Sequence, residues 1–502
     1  MIVASNLRLY ASLLIAGLMF PLGLAPFNLW PLIICSLSFL CLKIAGQSLS
    51  EVLSRVFLFN AGLFLFGVSW LYISIHYHGH VPAPFAMLAT IAFCIFLAAV
   101  STTPFLLWHL MQRARFSGLL GFPSLWVLGE WFRSWFATGF PWLFAGYSHQ
   151  STWLGGWAPL GGVLWLSFIT CFIASVISHI YRGCLTRFLA ISCIGLAAGS
   201  FLLGLLLMQI NWTHPTESNL QVALIQPNIP QNQKWSPEKR RNILSSLERL
   251  SMNHWDKDII IWPEAAIPAI AQNVQGFIDK LEARSLLSGN TLITGIPTFN
   301  QGKASYHNSV ISIGSNPGQY DKTKLVPFGE YVPLESLLRG IINFFNLPMS
   351  NFSPGASAQK PLEIDGHNLS TAICYEVVYP DLVAKISRGS SMLLTVSNDA
   401  WFGDSLALPQ HMQMAQMRAL ENAKPMLRAT NNGLTAFIDY QGYLTSTLPP
   451  FKEGALVGNI QPRVGQTPFT IWGSWPCIVL CLIIVIILSQ LKTSNNGIRG
   501  KT

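Results

Sequence analysis

Cys374 closes an apolar run that begins at Leu369, and it is the only cysteine between Asn211 and Phe469. The other eight, Cys35, Cys41, Cys94, Cys171, Cys184, Cys193, Cys477 and Cys481, lie in or beside long apolar segments. A lone cysteine at a strand end is a candidate nucleophile. It is equally readable as a small buried hydrophobe with no chemical task. Two further residues bear on the choice. Glu264 follows the apolar run 259–261 and the rigid pair Trp262-Pro263. Burial among Trp and Ala should desolvate its carboxyl and raise its pKa, which suits a general base. Lys322 and Lys324 sit in a turn-rich stretch that ends Pro327-Phe328-Gly329-Glu330-Tyr331. Singly, the plainer readings prevail: Glu264 as an acid at a helix N-terminus, Lys322 as a solvated charge.

The elements around these residues alternate. Strands are predicted over 220–226, 259–262, 292–295, 308–313, 369–374, 392–396 and 435–438, the last closed by the turn at 440–442. Helices are predicted over 237–252, with apolar positions Ile243, Leu247 and Leu250, and over 272–287, 379–387 and 411–422. Such alternation predicts one α/β domain over 211–468, in which groups at the carboxyl ends of strands converge on one crevice.

The remainder of the chain is of another kind. Of 502 residues 51% are hydrophobic and only 11% charged, against about a quarter charged in a soluble protein. Eight apolar spans are predicted at roughly 9–26, 29–45, 54–75, 83–110, 119–139, 159–181, 188–210 and 469–491. Residues 1–210 form a membrane domain with seven of them, and 469–502 a last helix and tail. These two parts hold eleven of the 31 Lys and Arg and two of the 22 acids, Glu51 and Glu130. The block 211–468 is left with twenty of each sign, so the net charge of +9 belongs to the membrane part. A neutral folded block argues against nucleic acid as a partner.

Loop charges give orientation. Arg8, Lys43 with Arg55, Arg113 with Arg115, Arg182 with Arg187, and Lys492 with Arg499 and Lys501 all fall on one face. The opposite loops 26–28, 76–82 and 140–158 hold no Lys or Arg. The positive-inside bias makes the first set cytoplasmic and puts 211–468 outside the cytoplasm. Glu130 and Arg133, three apart, can pair on one helix face. His76, His78 and His80 have metal-like spacing but no acid or cysteine beside them, and no metal is expected. Phe140, Trp142, Trp153 and Trp157 suit an interfacial belt or a lipid entrance. Trp401-Phe402-Gly403 suits an exposed apolar tip dipping into a bilayer.

In their order and surroundings, Glu264, Lys322 and Cys374 resemble the nitrilase, or carbon–nitrogen hydrolase, superfamily. That resemblance implies an extracytoplasmic α-β-β-α sandwich beside the multi-pass helical domain. It also makes Lys322 the catalytic lysine, since the pattern Lys, any residue, basic residue, Leu is met by 322–325. The run 226–231 with Lys234-Trp235, the GFPW run at 139–142, the PFGEYVP run at 327–333 and the ICYE run at 373–376 are similar to those of the apolipoprotein N-acyltransferases. This implies an enzyme of a bacterial inner membrane with its catalytic domain on the periplasmic side. It would pass a fatty acyl chain from a phospholipid, phosphatidylethanolamine, through a thioester on Cys374. The acceptor would be the α-amino group of a diacylglyceryl apolipoprotein. Glu330, Glu376 and Tyr375 then support the triad, with Trp235, Trp142, Trp401 and Phe402 near substrate. No cofactor is implied, since no metal motif or phosphate loop is present. The alternatives are a membrane-tethered amidase, with water as acceptor, and a dead lipid-binding scaffold.

Overall fold

The computed structural model describes residues 2–111, 116–331 and 352–491. Arg113, Arg115, Val332, Pro333, Lys492, Arg499 and Lys501, used above for orientation or motif, lie outside the described residues. The chain divides into two units. One comprises 1–69, 89–210 and 474–502; the other comprises 70–88 and 211–473.

The first unit is helical. Among the described residues of the chain, five stretches are long and apolar enough to cross a membrane: Asn6–Gly23, Leu49–Gly67, Ala83–Met111, whose first residues belong to the second unit, Trp153–Tyr181 and Arg187–Leu207. Pro31–Ile44 and Trp475–Gln490 are shorter apolar helices. Where a span was expected at 119–139, the α-helix runs only from Phe122 to Arg133. Small residues let two of the helices meet closely. A Cβ on Gly17 would stand 2.0 Å from the Phe59 carbonyl oxygen, and one on Gly62 would stand 2.2 Å from that of Leu14. Close backbone approach of this kind replaces the hydrophobic drive that lipid cannot supply.

The second unit carries fourteen strands among its described residues. They are β1 (Thr213–Pro215), β2 (Leu220–Gln226), β3 (Ile259–Ile261), β4 (Thr291–Asn300), β5 (Ser305–Ile313), β6 (Gly318–Asp321), β7 (Leu362–Ile364), β8 (His367–Ile373), β9 (Met392–Ser397), β10 (Met426–Thr430), β11 (Thr435–Ile438), β12 (Leu444–Leu448), β13 (Gly454–Ile460) and β14 (Arg463–Gly465). Two six-stranded sheets run in the orders β13-β2-β3-β4-β5-β6 and β12-β11-β10-β9-β8-β7. The centre of each is parallel, β2-β3-β4 and β8-β9-β10, with antiparallel flanks.

Burial on both faces explains the apolar runs in the central strands β2, β3 and β9. Val222, Leu224, Ile259 and Ile261 point between the sheets, where they meet Ile373, Leu394, Val396 and Leu427. Ala223, Ile225 and Ile260 point the other way, onto Ile243, Leu247, Ile278 and Leu281 of the helices Pro237–Ser251 and Gln275–Ser288. Each such fully buried aliphatic side chain contributes about 1.5–3 kcal/mol. The helices Pro380–Ile386 and Ala407–Asn422 pack against β8 and β10 respectively. The result is the four-layered α-β-β-α arrangement.

Candidate active site

Glu264 lies just past the end of β3. Trp262 is fully buried, and its indole N–H donates to Ser251 Oγ at 2.9 Å, pinning the strand exit to the helix beside it. Gly295 of β4 lies against the turn, where a Cβ would stand 2.4 Å from Ala265 N. Cys374 leaves β8 with φ +52°, and Ala265 beside Glu264 has φ +44°. Left-handed backbone at residues with a Cβ costs of order 1–3 kcal/mol, and such strain collects at functional sites.

Lys322 follows β6 and is 1% exposed. Its Nζ donates to Glu330 Oε1 at 2.8 Å and lies 3.4 Å from Glu264 Oε1. Asn308 on β5 bridges the two acids, its Nδ2 donating to Glu264 Oε1 at 2.9 Å and Glu330 Oε1 at 2.8 Å. Glu330 Oε2 accepts from the Val326 N–H at 2.8 Å. Glu264 Oε2 accepts from the Asn398 N–H at 2.8 Å, where β9 ends. Side chains of one sheet and a backbone N–H at the end of a strand of the other therefore meet at one carboxylate.

Glu376 ties the lysine loop to the cysteine. Its Oε2 accepts from the Ile373 N–H at 2.8 Å, and its Oε1 from Thr323 N and Oγ1, each at 2.7 Å, and from Lys324 N at 3.1 Å. Tyr320 OH reaches both oxygens at 3.1 Å. A fully buried carboxylate with so many donors is a structural anchor.

The electrostatics correct one expectation. Burial does push the Glu264 carboxyl upward, but Lys322 and Lys234, with hydrogen bonds from Asn308 and Asn398, outweigh it and hold its pKa below the ordinary value. Lys322 is opposite in kind: burial works against its charge, and Glu330 and Glu264 more than restore it, so its pKa is raised. Burial pushes the Cys374 thiol well up, and the Glu264 carboxylate adds to the rise against Lys322. The resting site is thus carboxylate, ammonium and neutral thiol.

Three residues behind Cys374 escaped the sequence reading. Arg428 of β10 donates to Asp399 Oδ2 at 2.7 Å and to His411 Nδ1 at 3.1 Å. His411 Nδ1 also lies 3.2 Å from Asp399 Oδ1, and its Nε2 faces the Cys374 carbonyl oxygen at 3.3 Å. Burial and the Arg428 charge lower the His411 pKa, which favours a neutral ring. Burial opposes the Asp399 charge, but Arg428 and His411 overcome it and hold the pKa well below the carboxylate range. This buried set braces the strained Cys374 backbone from behind.

The other expected residues divide. Tyr375 is half-buried beside Cys374, its ring edge-on to Tyr379 at 5.3 Å. Trp235 is half-buried and follows Lys234, whose Nζ donates to the Glu264 carbonyl oxygen at 2.9 Å. Trp401 and Phe402 are not an exposed tip. Ser74 Oγ donates to the Trp401 carbonyl oxygen at 2.8 Å, the His78 ring meets Trp401 at 5.6 Å, and Trp70 meets Phe402 at 5.0 Å. Aromatic burial against residues 70–78 outweighs exposure of this loop. His76 Nδ1 lies 2.7 Å from the Val81 carbonyl oxygen, as in a capped turn. Trp142 is fully buried in the helical unit, stacked on Phe140 at 5.7 Å, so it is a core residue and not part of an interfacial belt. Beside it, Arg133 donates to the Phe140 and Trp142 carbonyl oxygens, and Glu130 accepts from Trp126 Nε1 and Ala145 N. Glu130 and Arg133 thus hold the 140–145 segment in place.

Comparison with known proteins follows the same division of the chain. Residues 16–176 match the apolipoprotein N-acyltransferase N-terminal domain, and residues 221–469 match the carbon-nitrogen hydrolase family. The apolipoprotein N-acyltransferase of Pseudomonas syringae pv. tomato is 41% identical over 478 residues, 94% of each chain. That of Vibrio cholerae is 38% identical over 476 residues, 92% of each. Yeast Nit3, of the nitrilase superfamily, is a solved structure at 15% identity and a TM-score of 0.38, covering 50% of this chain and 93% of its own. Identity at the level of the two acyltransferases, along nearly the whole of both chains, shows that this protein belongs to the apolipoprotein N-acyltransferase family.

Proposed function

We propose that Glu264, Lys322 and Cys374 carry out N-acylation of lipoproteins in two steps through an acyl-enzyme. The observation that carries this is the convergence of Glu264 and Lys322, 3.4 Å apart, at the ends of β3 and β6 with the strained Cys374 at the end of β8. Because the thiol is neutral at rest, Glu264 removes its proton as sulfur attacks the acyl carbonyl of a phospholipid. Lys322 donates to the oxyanion that forms. A carbon–sulfur bond is made, the ester carbon–oxygen bond breaks, and the departing alcohol takes the proton from Glu264, leaving a lysophospholipid. The α-amino group of a diacylglyceryl lipoprotein then attacks the thioester. Its proton passes to Glu264 and on to sulfur, and the amide is released.

Phosphatidylethanolamine is the proposed donor and the bacterial inner membrane the proposed site. A donor dissolved in the bilayer suits a chain with five helices, among its described residues, long and apolar enough to span one. Orientation is proposed from the loop charges. A reporter active only outside the cytoplasm is expected to work when inserted at the exposed turn near Gln301. Silence there, with activity in a fusion within the loop Arg182–Arg187, would invert the topology.

The acceptor separates this reading from amide or ester hydrolysis. Purified protein given labelled phosphatidylethanolamine is expected to release about one equivalent of lysophospholipid per site and stop. Adding a diacylglyceryl peptide restarts turnover and moves the label into an amide. Steady release of free fatty acid without peptide would make water the acceptor and the protein a hydrolase.

A further inference from the structure

Lys322 is not the only cation at the candidate base. Lys234 closes a short helical turn, Gln231–Lys234, and is 3% exposed. Its Nζ donates to the Glu264 carbonyl oxygen at 2.9 Å. It is the second of the two lysines whose charges act on the Glu264 carboxylate, and it is also felt at Cys374. A buried ammonium loses its hydration, a cost that charge and hydrogen bonds must offset. An apolar side chain would fill this place at less cost, so the charge itself calls for an explanation. The local balance supplies one. Two carboxylates, Glu264 and Glu330, lie around Lys322. With Lys234 present, two acids face two lysines. Without it, the buried set carries an excess negative charge beside a thiol that must lose its proton.

We propose that Lys234 is a positioning residue for the base: it clamps the backbone of Glu264 and sets the charge balance that leaves the Glu264 carboxylate free to take the Cys374 proton. Among the described residues, the other groups around that carboxylate are Lys322 and Glu330 beyond β6, Asn308 on β5, the Asn398 N–H beyond β9 and Cys374 beyond β8, and Asp399, which acts on Cys374, is paired with Arg428. Among the described residues, Lys322 is the other lysine whose charge acts on the Glu264 carboxylate. Burial lowers the Lys234 pKa to about 8, with Glu264 and Cys374 opposing the fall. Its charge is therefore present on the acid side of neutrality.

This rests on Glu264 being the base, and the test separates the two claims. The full-length protein in detergent is given phosphatidylethanolamine, and single-turnover lysophospholipid release is followed across pH. The rate should fall on the acid side as Glu264 takes up a proton. Removing a nearby positive charge makes that protonation easier, so the acid limb of Lys234→Met should move to higher pH, by about one unit or more. Lys234→Gln can still donate to the Glu264 carbonyl oxygen without the charge, and its limb should move likewise. Lys234→Arg should keep the limb where it is. Limbs for both neutral variants that coincide with the parent's would overturn the role of Lys234 and leave Glu264 standing. An acid limb that survives in Glu264→Gln would instead remove Glu264 as the base.

Discussion

Lys322→Ala is expected to slow acyl-enzyme formation by about 100- to 1,000-fold, the usual consequence of removing one charged oxyanion donor. Pre-steady-state release of lysophospholipid measures it. The geometry adds a second penalty. Lys322 Nζ stands between Glu264 and Glu330, at 3.4 and 2.8 Å, and its loss leaves two buried carboxylates held together only by the Asn308 amide. Repulsion would favour protonation of one of them, and a protonated Glu264 is no base. Lys324 is the control. Its ammonium lies over the Tyr379 ring at 5.5 Å, while its backbone N–H serves Glu376. Lys324→Ala keeps that backbone contact and should lose far less. Equal losses in the two variants would remove the oxyanion role from Lys322.

Glu264→Gln is expected to cost about 100- to 10,000-fold in the same step, the range for a positioned general base. Its shape is nearly that of the parent, but its hydrogen bonding is not. In the parent, Oε1 faces the donors Asn308 and Lys322, and Oε2 faces the Asn398 N–H. A glutamine has one oxygen and must aim its NH2 at one of these donor sets. The variant therefore loses the proton acceptor and also loosens the join between β3 and β9. A rate that returns to the parent's value at high pH would contradict this, because hydroxide cannot stand in for a base buried beside a neutral thiol. The acid limb in the parent has a definite sign. The Glu264 pKa is held low, so the base stays ionised at neutral pH and activity is lost only as pH falls through that lowered value.

Legibility in the sequence followed the physics of each part. The strand at 220–226 and the helix beginning at Pro237 could be read because their apolar patterns are local, and they are observed at Leu220–Gln226 and Pro237–Ser251. β10 could not. It carries Arg428, whose guanidinium would expel an isolated strand from a core, and only Asp399 and His411, distant in sequence, allow its burial. β12 and β13 lie at sheet edges and are partly exposed, so they lack a continuous apolar signal. The site shows the same contrast. Glu264, Lys322 and Cys374 each stand beside a recognisable strand or motif. Asn308 is an ordinary residue within a strand, and Lys234 stands in a motif with Trp235 that does not tie it to Glu264, until folding brings each there. The expected rise of the Glu264 pKa failed for that reason. Desolvation was legible from its apolar neighbours, whereas the second lysine and the Asn398 N–H were not.

The bond between an acyl group and Cys374 is the centre of this account. Intact protein is incubated with phosphatidylethanolamine in the absence of lipopeptide, digested, and analysed by mass spectrometry. The peptide containing Cys374 should carry one fatty acyl group, released by neutral hydroxylamine as a thioester is, and lost when diacylglyceryl peptide is added before digestion. An unmodified Cys374, in a protein that releases lysophospholipid only when donor and acceptor are both present, would contradict the covalent route and require direct transfer between the two substrates.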